Sequence, residues 1–178
     1  MEMEMESAMK KEIKIQSLSD NYNVRKISDE DVEDVYKLCV GNPLYYAYCP
    51  PAVTRESVKG ELAALPPEVE ISDKYYIGFY QENRLMAVMD LINGYPEKSV
   101  AFIGFFMTDK SIQGKGVGTA IIQRACDYLK DLGFHSVRLA WVKGNPQSER
   151  FWAKNYFVGI QETTSTAADT VILAERLL

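Results

Sequence analysis

Between Lys74 and Met107 the apolar residues crowd into three runs, Lys74 to Tyr80, Leu85 to Ile92 and Ser99 to Met107. Polar turns, Gln81-Glu82-Asn83-Arg84 and the stretch from Gly94 to Lys98, separate them. Short apolar runs bounded by turn residues predict a β-meander. In the third run, Phe102-Ile103-Gly104-Phe105-Phe106-Met107 is apolar on both parities, as a central strand covered on both faces requires. The period then changes. From Gly116 to Leu132 the apolar positions Ile121, Ile122, Ala125, Leu129 and Leu132 fall at helical spacing, and Gly133 supplies a stop. Ser136 to Val142 reads as a strand, Pro146 to Lys154 as a short helix and Thr170 to Leu177 as a final strand.

Upstream the pattern is weaker. Ile13 to Leu18 alternates faintly, and Tyr22 to Ile27 reads as a first strand. Ser28 followed by Asp29, Glu30 and Asp31 has the form of a helix N-terminus, because a capping hydroxyl and early acids satisfy the free N–H groups there. A helix from Asp29 to Cys39 is expected, and a second from Ser57 to Leu65 ended by Pro66-Pro67. Between them, Gly41 to Pro51 is bracketed by breakers and is expected to be a loop; its Tyr45, Tyr46 and Tyr48 either pack or contact a ligand. The order is a meander followed by a β-α-β crossover, which implies an α/β (α+β) domain with a mixed sheet flanked by about four helices.

A length of 178 residues suits one domain, expected over residues 13–178 after a flexible acidic tail at 1–12. The net charge of -5 argues against a broad nucleic-acid or anionic-membrane surface. Cys39, Cys49 and Cys126 are odd in number and widely spaced, and His135 stands alone, so no zinc pattern forms and reduced thiols in a cytoplasmic protein are expected. No metal is expected. Neither a secretory leader nor an apolar run of about 18 residues is present.

The most informative residues are Gln113-Gly114-Lys115-Gly116-Val117-Gly118-Thr119, between a buried strand and an amphipathic helix. Glycines there let an anion approach the backbone amides, which with the helix dipole make a diphosphate cradle. A Walker A loop needs Ser or Thr after Gly-Lys, but Gly116 follows Lys115, which disfavours a nucleotide-dependent kinase. A dinucleotide fingerprint from Gly114 and Gly116 would place its third glycine at Thr119, and fails as well. The spacing that fits is Q/R-x-x-G-x-G/A, read at Gln113, Gly116 and Gly118. It resembles the signature of the GNAT superfamily of N-acetyltransferases. The segment from Asn145 to Phe157 is similar to that family's second cofactor element, N-x-x-[AS]-x-x-[FL]-[YW]-x-K-x-G-F.

The resemblance spans roughly residues 22–178 and implies a single GNAT-type domain. Its mostly antiparallel, twisted sheet would open in a V-shaped splay between central strands. Acetyl-CoA would be the cosubstrate. The backbone of Phe106, Met107 and Thr108 would bond the pantetheine arm, and Gln113, Gly114, Lys115, Gly116, Val117, Gly118 and Thr119 would hold the pyrophosphate. Asn145 would contact the pantetheine region while also capping a helix ahead of Pro146. The family often has a Tyr where this chain has Trp152, and an indole N–H cannot protonate a departing thiolate. Water, another side chain or no acid at all would serve there. Tyr156 replaces the usual Gly and reads as a packing residue or a substitute acid.

Many relatives carry a carboxylate on the strand before the glycine loop, but Phe102 to Met107 contains none. Asp90, within an apolar run, is the remaining candidate for the base that deprotonates the amine; a structural Asp paired to backbone or to a cation is the alternative. His135 reads as a surface residue at a strand start. Residues 1–109 carry 11 basic and 19 acidic groups, and residues 110–178 carry 9 basic and 6 acidic. The positive part contains the phosphate loop. The negative part contains the tyrosines that by resemblance wall the acceptor, a small-molecule or peptide amine, cationic before transfer. Two functions are expected from this: direct N-acetyl transfer in a ternary complex, or a non-catalytic acyl-CoA-binding module. Relatives are commonly homodimers.

Overall fold

A computed structural model describes residues 10–165 and 169–178 of the chain. Seven strands, Asn23–Lys26 (β1), Lys74–Gln81 (β2), Arg84–Asn93 (β3), Val100–Thr108 (β4), Ser136–Val142 (β5), Val158–Thr164 (β6) and Thr170–Leu177 (β7), form one sheet. Their order is β1-β2-β3-β4-β5-β7-β6, and every pairing is antiparallel except β4 with β5. Among the described residues, five helices pack against the sheet: Val32–Val40 (α1), Pro43–Tyr48 (α2), Arg55–Glu61 (α3), Val117–Asp131 (α4) and Pro146–Lys154 (α5). The fold is the α/β arrangement expected from the element order.

Two apolar cores hold these layers. One joins α4 and α5 to the sheet through Ile121, Ile122, Ala125 and Leu129 against Met89, Ile103, Val137 and Leu139. The other packs α1 and α3 on the opposite face, with Val35, Leu38 and Val58 against Tyr76, Val88 and Met107. The α4 stripe is the one its spacing predicts. Its end is set by Gly133 at φ +93, after which the Phe134 amide donates back to the Leu129 carbonyl.

The structure corrects several sequence expectations. Gly41 to Pro51 contains α2 rather than a loop throughout, since Pro43 at the first turn presets a helical φ. The faintly alternating stretch from Ile13 holds a single 3-10 turn, Ile15–Leu18, with Leu18 at its end and Ile13 ahead of it both buried. The helix expected over 57–65 runs from Arg55 to Glu61, because Thr54 and Ser57 form a reciprocal cap two residues earlier. Strand β6 had no sequence signal: all seven of its residues are exposed, and pairing with β7 alone makes it extended. At the first helix, Ser28 and Asp31 cap each other, and the Arg25 fork on Asp31 holds that carboxyl below its ordinary value.

Of the tail expected over 1–12, the first nine residues lie outside the described residues. Lys10 pairs with Asp73 at 2.6 Å, and the Lys11 carbonyl accepts from Asn93 Nδ2 at 2.6 Å. All three cysteines carry free thiols. Among the described residues, no helix is long and apolar enough to cross a membrane, and no cluster of three or more His, Cys, Asp or Glu is placed to hold a metal.

Candidate active site

Parallel pairing of β4 with β5 begins at Val100 with Ser136 and stops at Ile103 with Leu139. Beyond that point β4 continues with β3 to Thr108, while β5 continues with β7 to Val142. The two strands separate, and their facing edges lose their ladder partners. The cause is local. Asp90 pairs with Phe105 and Leu91 with Ile103, so Gly104 is the extra residue of a β-bulge where the pairing ends. A cleft of about 540 Å3 fills the gap.

Loop and helix shape the upper end of this cleft. Gly114 and Gly116 hold φ of +73 and +78, and a Cβ built on either meets no atom within 4 Å, so the bare backbone faces open space. Gly116 caps α4, whose first N–H groups have no partner within the helix. A Cβ on Gly118 would stand 3.2 Å from Phe151, so glycine there lets the helix start close against α5.

Most residues expected at the cofactor line this one cleft: Phe106, Met107, Thr108, Gln113, Gly114, Gly116, Val117, Gly118, Thr119, Asn145 and Trp152. Lys115 is exposed outside the lining. The Gln113 amide is engaged by the protein itself, donating to the Thr108 carbonyl and to Asn42 Oδ1, while Asn42 donates in turn to Thr108 at 3.1 Å. Gln113 therefore braces the loop against the end of β4. Asn145 is buried, and its Oδ1 accepts from the Gln147 and Ser148 amides as the cap of α5.

Of the tyrosines, only Tyr45 lines the cleft; Tyr46 and Tyr48 do not. Tyr45 packs edge-on to Phe105 and Tyr46, and burial pushes its phenol above the ordinary range. Trp152 sits in an aromatic cluster with Phe106, Phe151 and Phe157 at centroid distances of 4.8 to 6.0 Å. Packing accounts for the indole there, so Trp152→Phe is expected to leave turnover within a few-fold of wild type in a thiol-release assay. Near-total loss would assign the indole a direct role. Tyr156 lies outside the lining and is 70% exposed, which does not suit a substitute acid; its ring packs under the Arg176 guanidinium, 5.3 Å from the ring centre. Its φ of +68 follows α5, a left-handed position that explains why glycine is usual there. His135 is an exposed strand-start residue, as expected.

Asp90 is 7% exposed and does not itself line the cleft. Its Oδ2 accepts from Lys74 Nζ at 2.9 Å, and its Oδ1 is buried without a partner among the described residues. A Cβ built on Gly104 would fall 2.8 Å from Asp90 Oδ2. Gly104 lines the cleft, so the carboxylate occupies the place where that residue's side chain would be. Burial pushes the Asp90 carboxyl above its ordinary value, and Lys74 pulls it partly back.

Sequence reasoning missed Asn42, Cys49, Phe151 and Asp169, which also line the cleft. Phe151 alone stood inside a recognised motif; Asn42 and Cys49 cap the two ends of α2 and Asp169 precedes β7, all remote in sequence from the glycine turn.

The architecture and this cleft agree with comparison to known proteins. The model of the acetyltransferase (GNAT) family matches residues 43–157. The chain belongs to that family. No curated protein matches it. Among solved structures, this GNAT domain resembles an acetyltransferase from Thermus thermophilus at a TM-score of 0.71 and 18% identity, over 89% of this chain and 97% of that one. It is similar to the PaiA N-acetyltransferase of Thermoplasma acidophilum, solved in complex with coenzyme A, at 0.61 and 18%, over 88% and 98%. A ribosomal-protein-S5-alanine acetyltransferase from Vibrio fischeri matches at 0.61 and 20%, over 89% and 94%. At these identities the likeness is one of fold.

The cleft also fits an acyl-CoA by its own chemistry. The pantetheine arm carries amides that complement the unpaired edges of β4 and β5, as a peptide complements a sheet edge. A diphosphate complements the glycine turn at the N-terminus of α4.

Proposed function

We propose that this GNAT domain transfers the acetyl group of acetyl-CoA directly to a primary amine of a small molecule or peptide, both substrates being bound together. The observation that carries the reading is the buried Asp90 carboxylate behind Gly104, at the point where β4 and β5 part. When bound, acetyl-CoA supplies the activated acetyl group as a thioester.

The chain's own residues then have defined work. Edges of β4 and β5 orient the arm, and the turn from Gln113 to Gly118 anchors the diphosphate. The amine arrives as an ammonium, with a reference pKa of about 10.4 for a lysine-like acceptor and about 8 for a peptide α-amine, and must lose a proton before it can attack. Asp90 Oδ1 has no competing donor among the described residues and takes that proton through an intervening water. Tyr45 and Asp169 are among the residues of the cleft walls, an aromatic and an acidic type that suit a cationic acceptor. The names of neighbours that acetylate ribosomal-protein alanine make peptide α-amines a natural first panel.

The test is thiol release from acetyl-CoA by the purified protein across small amines, amino acids and peptides. Release above the hydrolysis rate with at least one class supports the reading. Release with none, together with tight CoA binding by calorimetry, would make the protein a non-catalytic acyl-CoA-binding module instead.

Gly104→Ala probes the bulge. The new Cβ would force the carboxylate from its place, since 2.8 Å is closer than packed atoms approach. A misplaced base is expected to lower kcat by roughly 10- to 100-fold. CoA affinity, which depends on the turn at Gly116, should stay within about two-fold; an unaltered kcat would dissociate Asp90 from the chemistry.

A further inference from the structure

Lys74 is a buried lysine outside the cleft, with only 2% of its side chain exposed. Its ammonium donates to Asp90 Oδ2 at 2.9 Å and to the Ala64 carbonyl at 2.8 Å, and lies 5.7 Å from the centre of the Tyr76 ring. Such a pair is a poor stabilising device, because removing two charges from water costs about as much as their attraction returns, and apolar residues of the same volume do as well or better. The pair is also incomplete as a structural bridge, since Asp90 Oδ1 is buried and unpartnered. Its position supplies the missing purpose. One end reaches the turn after α3, and the other ends at the bulge that opens the cleft.

We propose that Lys74 is a positioning residue for acetyl transfer: its ammonium orients the Asp90 carboxylate behind Gly104 and keeps it in the charged form able to accept the proton of the incoming ammonium. This rests on the reading of Asp90 as the base. In the step itself an N–H bond of the acceptor ammonium breaks and an O–H bond forms on Asp90 Oδ1, leaving the neutral amine with its lone pair; the proton later passes to solvent.

The groups facing Asp90 leave this role to Lys74. On β2 the neighbour is Tyr76, whose phenol burial pushes above the ordinary range. Behind Tyr76, in the same apolar core, stand Cys39, Tyr45 and Tyr46 of α1 and α2, all pushed up by burial and hence neutral near pH 7. Glu61 on α3 is a like charge and opposes ionisation of Asp90. On β4, Gly104 and Phe105 do not titrate. Among the described residues, Lys74 is the cation that favours the carboxylate. Without it, burial and Glu61 act unopposed and the Asp90 carboxyl stays protonated to higher pH.

The experiment is the pH–rate profile of Lys74→Met from about pH 5 to 9.5, with CoA binding measured on the same samples. The limb on which activity rises with pH should move up by about one to three units, an opposite charge being worth that much, with the rate recovering toward wild type at the alkaline end. CoA affinity should stay within two-fold. A limb that does not move overturns the proposal. Lys74→Gln, which keeps a donor and removes the charge, is the second variant and should show the same displacement.

Wild-type protein provides a further measurement that needs no folded variant at position 74. The 13Cγ resonance of Asp90, assigned by its absence in Asp90→Asn, should titrate along the activity limb; a signal flat across the limb overturns the assignment. If no amine supports turnover, the N-acetyltransferase reading fails. In that case the displacement of the Asp90 resonance between wild type and the Lys74 variants still decides whether Lys74 controls that carboxylate.

Discussion

Gly116→Asp is expected to remove CoA binding while leaving the domain folded. Gly116 is the N-cap of α4, and aspartate is among the best N-caps, complementing both the free amides and the helix dipole. The φ of +78 costs aspartate about 1–2 kcal/mol relative to glycine, of which capping returns only a few tenths, a loss small against the roughly 5–15 kcal/mol that hold a domain folded. What changes is the space outside. A Cβ there meets no protein atom within 4 Å, so the new carboxylate projects into the volume proposed for the diphosphate. Two like charges 4 Å apart repel by about 4 kcal/mol at an effective dielectric of 20, and half of that already exceeds a ten-fold change.

A loss of CoA affinity on the order of 100-fold or more is expected by calorimetry, with the melting temperature lower by only about 2–8 °C. Gly116→Asn separates charge from shape. Asparagine tolerates the left-handed conformation and caps equally well, so its affinity loss should be much smaller. Equal losses in the two variants would mean that the Cβ, not the charge, is at fault, and retained affinity in the Asp variant would refute the loop assignment.

Asp90→Asn should lower kcat by roughly 10²- to 10⁴-fold, the usual worth of a general base, and flatten the limb on which activity rises with pH. The sign follows from the environment. Burial raises the Asp90 carboxyl above its ordinary value, so activity is present above the folded-state value and lost as the pH falls through it. The same group affects stability in the opposite sense. A raised carboxyl binds its proton more tightly folded than unfolded, so its contribution to stability is greatest at low pH and fades as the pH rises past the folded value.

The amide also leaves the Lys74 ammonium buried without its counter-charge, which costs about 3–5 kcal/mol. The melting temperature should therefore fall, and CoA calorimetry must accompany the kinetics to show that the cleft still forms. An unchanged pH–rate profile with CoA affinity intact would clear Asp90 of the role of base.

Much of the fold is written in periodicity. The stripe Ile121, Ile122, Ala125 and Leu129 and the two-sided apolar run of β4 are local patterns whose partners follow from burial alone. The glycine turn is legible for a similar reason, since backbone conformations with positive φ at Gly114 and Gly116 leave a mark in residue type. Strand β6 left none, because an edge strand exposed along its length needs no apolar period. Helix α2 was hidden by the breakers on either side of it.

For the site, the division falls between chain-local and chain-distant geometry. By itself the sequence determined the family, the glycine turn and a suspicion about Asp90 as an acid in an apolar strand. Only the tertiary structure decided that Gly104 is a bulge with Asp90 in the place of its side chain, and that the other partner of that carboxylate is Lys74. It also drew Asn42, Cys49 and Asp169 into the same cleft as the turn. Strand register and the divergence of β4 from β5 settle these contacts. Both are long-range pairings, and no local pattern of residues encodes them.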